Sequence, residues 1–270
     1  MKIRICILFS FFSIVIRAQE KFEWVERLSY KIDSLDIWTV DILGNTYISK
    51  KELIQKFDSL GRLKFSESEK SFGRLSSIQT INTMKLIVFS EEQQQMCFLD
   101  NTLTPFETCI DFEDHYINNA TKIAVSSQPD KFWVYDQLNS RLQLLSLQQK
   151  NQAQEIENLK GLLNSIQIYS MIEQNNFLYL LDLNQGVYIL DMYGSLVNFI
   201  NRKNIKSFQV DLNYYYLLEG DQVVRIDIET NIEQKFKCPN SGIIDFKKSG
   251  NNYYFQTLSE IKKYHLLFDK

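Results

Sequence analysis

The sequence predicts an all-β fold, a six-bladed β-propeller of four-stranded blades, and three observations carry that expectation. A β-branched and aromatic run, a polar turn and a second apolar run recur six times along the chain. The ends of the second runs (Asp58, Asp100, Ser146, Asp191, Asp227 and the Tyr264–His265 pair) are separated by steps of 42, 46, 45, 36 and about 37 residues, close to the roughly 40–45 residues of a propeller blade. The sixth copy lacks an outer strand, and an apolar segment near the N-terminus is free to supply it.

Met1–Gln19 is read first. Basic Lys2 and Arg4 precede an apolar run, Ile5–Ile16, and small Ala18 stands before Gln19. That order predicts a secretory signal peptide over residues 1–18. The apolar run is shorter than the roughly 20 residues a spanning helix needs, and no later stretch is long, apolar and uncharged. The mature chain, 19–270, is expected to be soluble, with no membrane span after signal cleavage and no cysteine placed to carry a lipid.

The segment of about 22–30, with Phe22, Trp24, Val25 and Leu28 among charged residues, is expected to close the ring as the outer strand of the last blade. The first runs of the six copies are Tyr47–Ser49, Leu86–Ser90, Phe132–Asp136, Phe177–Asp182, Tyr214–Glu219 and Tyr253–Thr257, residue types that fit a pleated, half-buried surface. Ahead of five of them, Ser77–Thr83, Thr121–Ser126, Ile166–Ile172, Ser207–Leu212 and Ile243–Lys247 are expected as innermost strands around a channel. Asp58–Gly61 and Asp191–Gly194 predict tight turns, with aspartate bonding nearby backbone and glycine at positive φ. Lys150–Leu163 shows helical spacing at Ile156, Leu159, Leu162 and Leu163 and is expected as a short helix between blades three and four.

Thirty basic against 33 acidic residues give a net charge of −3, with no basic stripe to track a phosphate backbone, so nucleic acid is excluded as a partner. Three cysteines remain after residue 18: Cys97, Cys109 and Cys238. An odd count leaves at least one unpaired. Cys97 and Cys109 flank a predicted hairpin turn, and a bond across it is one reading; the alternative is three small buried apolar residues.

Turns such as Gln55–Leu63, recurring at this period, resemble those of the NHL-type and TolB-like six-bladed propellers, including those of Bacteroidota cell envelopes, and the similarity spans nearly the whole mature chain. No tryptophan-aspartate, YWTD or double-glycine kelch signature accompanies it, so the resemblance implies architecture before activity. The Ala18–Gln19 junction and the abundance of Asn, Ile, Lys, Phe and Tyr are similar to Bacteroidota proteins, which implies a periplasmic or extracellular location. Asp33–Leu35 and Asp58–Leu60 are similar to the three-residue O-glycosylation pattern of that phylum.

Asp111, Glu113, Asp114 and His115 mix carboxylate with imidazole, a combination suited to a divalent cation; the alternative is a solvated acidic loop. Propellers of the resembled type that hydrolyse lactones or esters hold calcium in the channel, which implies convergence of Asn119, Asn164, Asn204 and Asp245 at the channel mouth. Only two histidines exist, His115 and His265, and neither a nucleophile elbow nor a phosphate-binding glycine loop is present. Tyr214–Tyr216 and Tyr253–Phe255 are expected to fill the space between blades. The expectation is therefore an exported, non-enzymatic interaction module that presents loops to a protein or glycan in the cell envelope. A calcium-dependent hydrolase with its site in the channel is the alternative.

Overall fold

The computed structural model describes residues 22–50, 53–68, 72–146, 154–164 and 167–268; the predicted signal peptide lies outside them. Six four-stranded antiparallel sheets form the ring. The chain enters on β1 (Phe22–Lys31). Blade 1 is then β2 (Ile37–Val40), β3 (Thr46–Lys50), β4 (Leu53–Phe57) and β5 (Leu63–Ser68). Blade 2 is β6 (Ser77–Thr80), β7 (Lys85–Ser90), β8 (Gln95–Asp100) and β9 (Ile110–Asp111), and blade 3 is β10 (Ala120–Val125), β11 (Lys131–Asp136), β12 (Arg141–Ser146) and β13 (Gln154–Ile156). Blade 4 comprises β14 (Ser170–Gln174), β15 (Phe177–Asp182), β16 (Gly186–Asp191) and β17 (Leu196–Ile200), and blade 5 comprises β18 (Ile205–Val210), β19 (Tyr214–Glu219), β20 (Gln222–Asp227) and β21 (Glu233–Lys237). Blade 6 holds β22 (Asp245–Ser249), β23 (Asn252–Gln256) and β24 (Glu260–Phe268), and β1 is its fourth strand.

Closure occurs as the sequence predicts. β1 pairs antiparallel with β24 from Phe22↔Phe268 to Lys31↔Glu260. Trp24 anchors it: its Nε1 donates to the Lys237 carbonyl at 2.6 Å, and its ring meets Tyr253 and Phe255 edge-on at 5.1 and 5.2 Å.

Side chains alternate across each strand, and this alternation sorts the apolar residues into six clusters, one per pair of neighbouring blades. On β7, Leu86 and Val88 pack toward blade 1 with Tyr47 and Ile54, while Ile87 and Phe89 pack toward blade 3 with Phe132 and Val134. The tyrosine-rich strands obey the same rule. Tyr215 faces blade 4, whereas Tyr216, Tyr253 and Phe255 fill the space between blades 5 and 6, the packing role expected of them.

Two buried lysines fasten neighbouring blades. Lys56 Nζ donates to the Asn101 carbonyl of blade 2 at 2.8 Å and lies 5.4 Å from the centre of the Tyr47 ring. Lys263 Nζ donates to the Ser59 carbonyl of blade 1 at 3.0 Å and lies over Tyr254. Burial lowers the pKa of both ammonium groups.

The recurrent aspartates are turn formers. Asp58 Oδ1 accepts from the backbone N–H of Leu60 and Arg62 at 3.0 and 2.9 Å, and Asp191 Oδ1 does the same for Tyr193 and Ser195. Gly194 has φ of +91°, and a Cβ there would sit 2.6 Å from Ile156 Cγ2, so neither the conformation nor the space admits a side chain.

Two segments differ from or resolve the sequence reading. Lys150–Leu163 is not a helix throughout. Residues 150–153 lie outside the described set, Gln154–Ile156 form the outer strand of blade 3, and only Leu159–Leu162 make one helical turn, α1. The apolar residues read at helical spacing serve both elements, because Ile156 and Leu159 pack into the same core between blades 3 and 4. In blade 2 the outer strand is only two residues long, and Cys97 and Cys109 form a disulfide, Cα–Cα 4.2 Å, that ties the preceding strap to β8. Cys238 is free and buried.

Candidate functional site

Lettering the strands of each blade A to D outward from the axis, the A–B and C–D turns lie on one face, and the B–C loops and D–A blade connections lie on the other. The six A strands (β2, β6, β10, β14, β18, β22) surround a central channel with a cavity of about 610 Å³, within the ~300–1,000 Å³ range of ligand sites. Its wall mixes apolar residues with Thr39, Ser77, Gln79, Thr121, Ser170 and Gln209.

Several polar groups in this wall lock blade to blade. Gln79 Nε2 donates to the Ile123 carbonyl at 2.7 Å while its Oε1 accepts from Val125 N–H at 3.0 Å, so one amide clasps the edge of β10. Glu173 receives Ser127 N–H and Oγ on one oxygen, at 2.8 and 2.5 Å, and Trp133 Nε1 on the other at 2.8 Å. Gln256 Oε1 accepts from Trp38 Nε1 at 2.6 Å, and Lys247 Nζ lies 5.2 Å from the centre of that indole. Asp245 Oδ1 accepts from Ser207 Oγ at 2.5 Å and from Phe246 N–H at 2.8 Å, with Lys247 Nζ 4.0 Å from its other oxygen. Ser77 Oγ is buried and, among the described residues, without a hydrogen-bond partner.

Above the wall stands Tyr169, 53 % exposed, its backbone N–H fixed to the Leu181 carbonyl at 2.8 Å. Burial and then the Asp245 charge raise its hydroxyl pKa, so it stays protonated. On the same face a shallower recess of about 680 Å³ includes Ser34, Leu35, Arg74, Glu91 and Asn119. Channel and recess share Asp36, Ile37 and Ser76, so they form one continuous concave surface.

The predicted site residues distribute unevenly over this geometry. Asp245 lines the channel and Asn119 the adjoining recess. Asn164 and Asn204 line neither and are not brought to the mouth: both are exposed, with φ of 51° and 62°, and the Asn204 N–H caps the Leu183 carbonyl. These asparagines hold left-handed backbone in the blade connections, a role their residue type also suits. Asp111 ends β9, and Glu113–His115 form a 3₁₀ turn in which Asp111 Oδ1 accepts from Glu113 N–H at 2.9 Å. Among the described residues no group of three or more His, Cys, Asp or Glu side chains is placed to hold a metal ion. His265 lies on β24 opposite Val25 and Asn252, away from the channel.

Sequence reasoning missed Tyr169, Ser77, Lys247 and Glu173. A single carboxylate following Met171 and Ile172 in an inner strand is the signal that marks Glu173. The opposite mouth carries a smaller pocket of about 210 Å³. There Asp211 is occupied by Tyr216 and Lys248 at 2.9 and 3.1 Å, a structural arrangement.

No family model and no curated protein matches the chain. Solved structures do. The WD40 domain of Neurospora crassa Pan2 aligns with a TM-score of 0.64 at 9 % identity, covering 90 % of this chain and 95 % of that one. Virginiamycin B lyase from Staphylococcus aureus aligns with 0.62 at 10 % identity, covering 92 % and 100 %. A chain of the Mitotic Checkpoint Complex aligns with 0.64 at 10 % identity, covering 98 % and 99 %. At such identities the likeness establishes one thing, that this chain has the β-propeller fold.

Proposed function

We propose that the chain is an exported, non-enzymatic interaction module, a rigid propeller that offers its B–C/D–A face to a protein or glycan of the cell envelope. The observation that carries this reading is the continuous concave surface formed by channel mouth and recess. It is bordered on the same face by the exposed loop residues Leu35, Tyr116, Leu138 and Leu258, each 65 % exposed or more, on loops positioned by a rigid scaffold.

The Cys97–Cys109 disulfide supports export, since such bonds persist in oxidising compartments, and it agrees with the leader expected over residues 1–18. A periplasmic or extracellular setting and the NHL- or TolB-like type belong to the same proposal. Among the similar propellers, one sits in the Mitotic Checkpoint Complex and another is a lyase. The assembly role is the one favoured here, because Asp245 is the one predicted site residue in the channel wall and its carboxylate is already held by Ser207, Phe246 and Lys247.

Affinity capture from envelope extract, with wild type compared against a Tyr116→Asp/Leu138→Asp variant, tests the reading. Partners retained by wild type and lost by the variant are the expected outcome, and partners retained equally by both overturn it. Reproducible hydrolysis of a simple ester or lactone, abolished by Asn164→Ala or Asp245→Ala, would replace it with the calcium-dependent hydrolase.

A further inference from the structure

We propose that the channel mouth on the B–C/D–A face is a binding site for a neutral saccharide, seated as one pyranose ring against Tyr169 with its hydroxyls turned into the channel wall. This deepens the interaction-module reading and rests on it.

The wall's charges are the first argument. Asp245 is held by Ser207 and Lys247, Glu173 by Ser127 and Trp133, and Asp36 by the Asp33 N–H at 2.8 Å. Lys122 Nζ donates to the Thr121 carbonyl at 3.0 Å. A phosphate or a basic side chain would have to displace these contacts, whereas an uncharged ligand leaves them intact.

Geometry is the second argument. Each inner strand ends its sheet toward the axis, so the channel is ringed by strand edges carrying backbone N–H and C=O groups, interleaved with Ser77, Thr121, Ser170 and Gln209. Donors and acceptors therefore surround the axis on all sides. A compact ring with hydroxyls pointing in every equatorial direction matches them, whereas an extended peptide directs its polar groups to two sides only.

One residue is left over by the fold's own needs. Tyr169 holds a half-exposed ring at the mouth with its backbone tied down. Its ring supplies an apolar platform above the hydrogen-bonding strand edges, the combination that a sugar's C–H face and polar rim require.

Saturation-transfer NMR on the purified protein with glucose, galactose, N-acetylglucosamine and their β-linked disaccharides at millimolar concentration tests this. Transfer to at least one sugar is expected, weakened about tenfold by Tyr169→Ala, the scale of one ring contact. Absence of transfer from every sugar, or transfer unchanged by Tyr169→Ala, overturns the inference. Capture of protein partners is read in parallel: capture lost in Tyr116→Asp/Leu138→Asp with no sugar signal rejects the saccharide alone, whereas unaltered capture with no sugar signal rejects the interaction face as well.

Discussion

Replacing Glu173 by alanine tests how the inner strands hold the ring. Its carboxylate spans blades 3 and 4, and Trp133, fully buried, has its indole N–H directed at one of its oxygens. In Glu173→Ala that donor is left without a partner in an apolar interior, which costs about 1–3 kcal/mol. Both Ser127 contacts are lost too. They lie nearer solvent, where water replaces part of their value, and contribute about 1 kcal/mol more. The expected loss is about 2–4 kcal/mol, which for a domain of this size lowers the melting temperature by roughly 4–16 °C. Glu173→Gln keeps one acceptor oxygen, enough for either Trp133 or Ser127, and should lose about half as much. Urea unfolding followed by tryptophan fluorescence measures both variants. A loss below about 1 kcal/mol in Glu173→Ala, or equal losses in the two, would refute the view that this carboxylate is an inter-blade tie.

The remaining predictions concern the disulfide and acid stability. The Cys97–Cys109 bond closes a loop with a sequence separation of 12, so Cys97→Ser/Cys109→Ser, or reduction, should cost about 3 kcal/mol; an unchanged melting temperature in reductant would contradict this. Burial, with the Asp221 charge second, pushes the Cys238 thiol up to about 12, so Cys238 should react slowly with a thiol reagent in the native protein and fast after unfolding. His265 is held below its ordinary 6.5, first by burial and then by Arg27 and Lys263. Its contribution to stability is therefore present above pH 6.5 and falls away as pH drops from 6.5 toward the folded value. The turn carboxylates Asp58, Asp191 and Asp227, held low chiefly by backbone N–H groups, lose theirs only below about 3.8. Thermal melts between pH 7 and 3 should show two stages, with His265→Gln removing the upper one; a single stage near pH 4 would contradict the assignment.

The second and third strands of blades 2 to 4 were legible because they are buried on both faces and read as mostly apolar runs, such as Leu86–Phe89 and Phe177–Leu181. The closing strand was legible because Phe22 and Trp24 had no other place in the count. The outer strand of blade 3 was obscured because Ile156 and Leu159 bury into one core from two elements whose spacing mimics a helix. In blade 2 the disulfide strap replaces most of a strand ladder, and no periodicity encodes that. The site was harder still. Asn164 and Asn204 attract notice as polar residues near inner strands, yet their conformation at positive φ, a local property of the loop, decides their position. Tyr169 is a common residue type whose significance appears only when six strands from separate blades meet at one axis.

The pairing of β1 with β24 sets an order of assembly. Glu26 and Tyr264, joined through the tyrosine hydroxyl, are separated by 238 positions in the chain, and the strand translated first in the domain waits for the one translated last. Until residues 260–268 have left the ribosome, Trp24 has no partner strand and blade 6 presents an unpaired edge. Ring closure thus requires one of the longest loops within residues 22–268, a topology in which folding is slow. Until this contact forms, the outer edge of blade 6 stays open to pairing with a strand of another molecule.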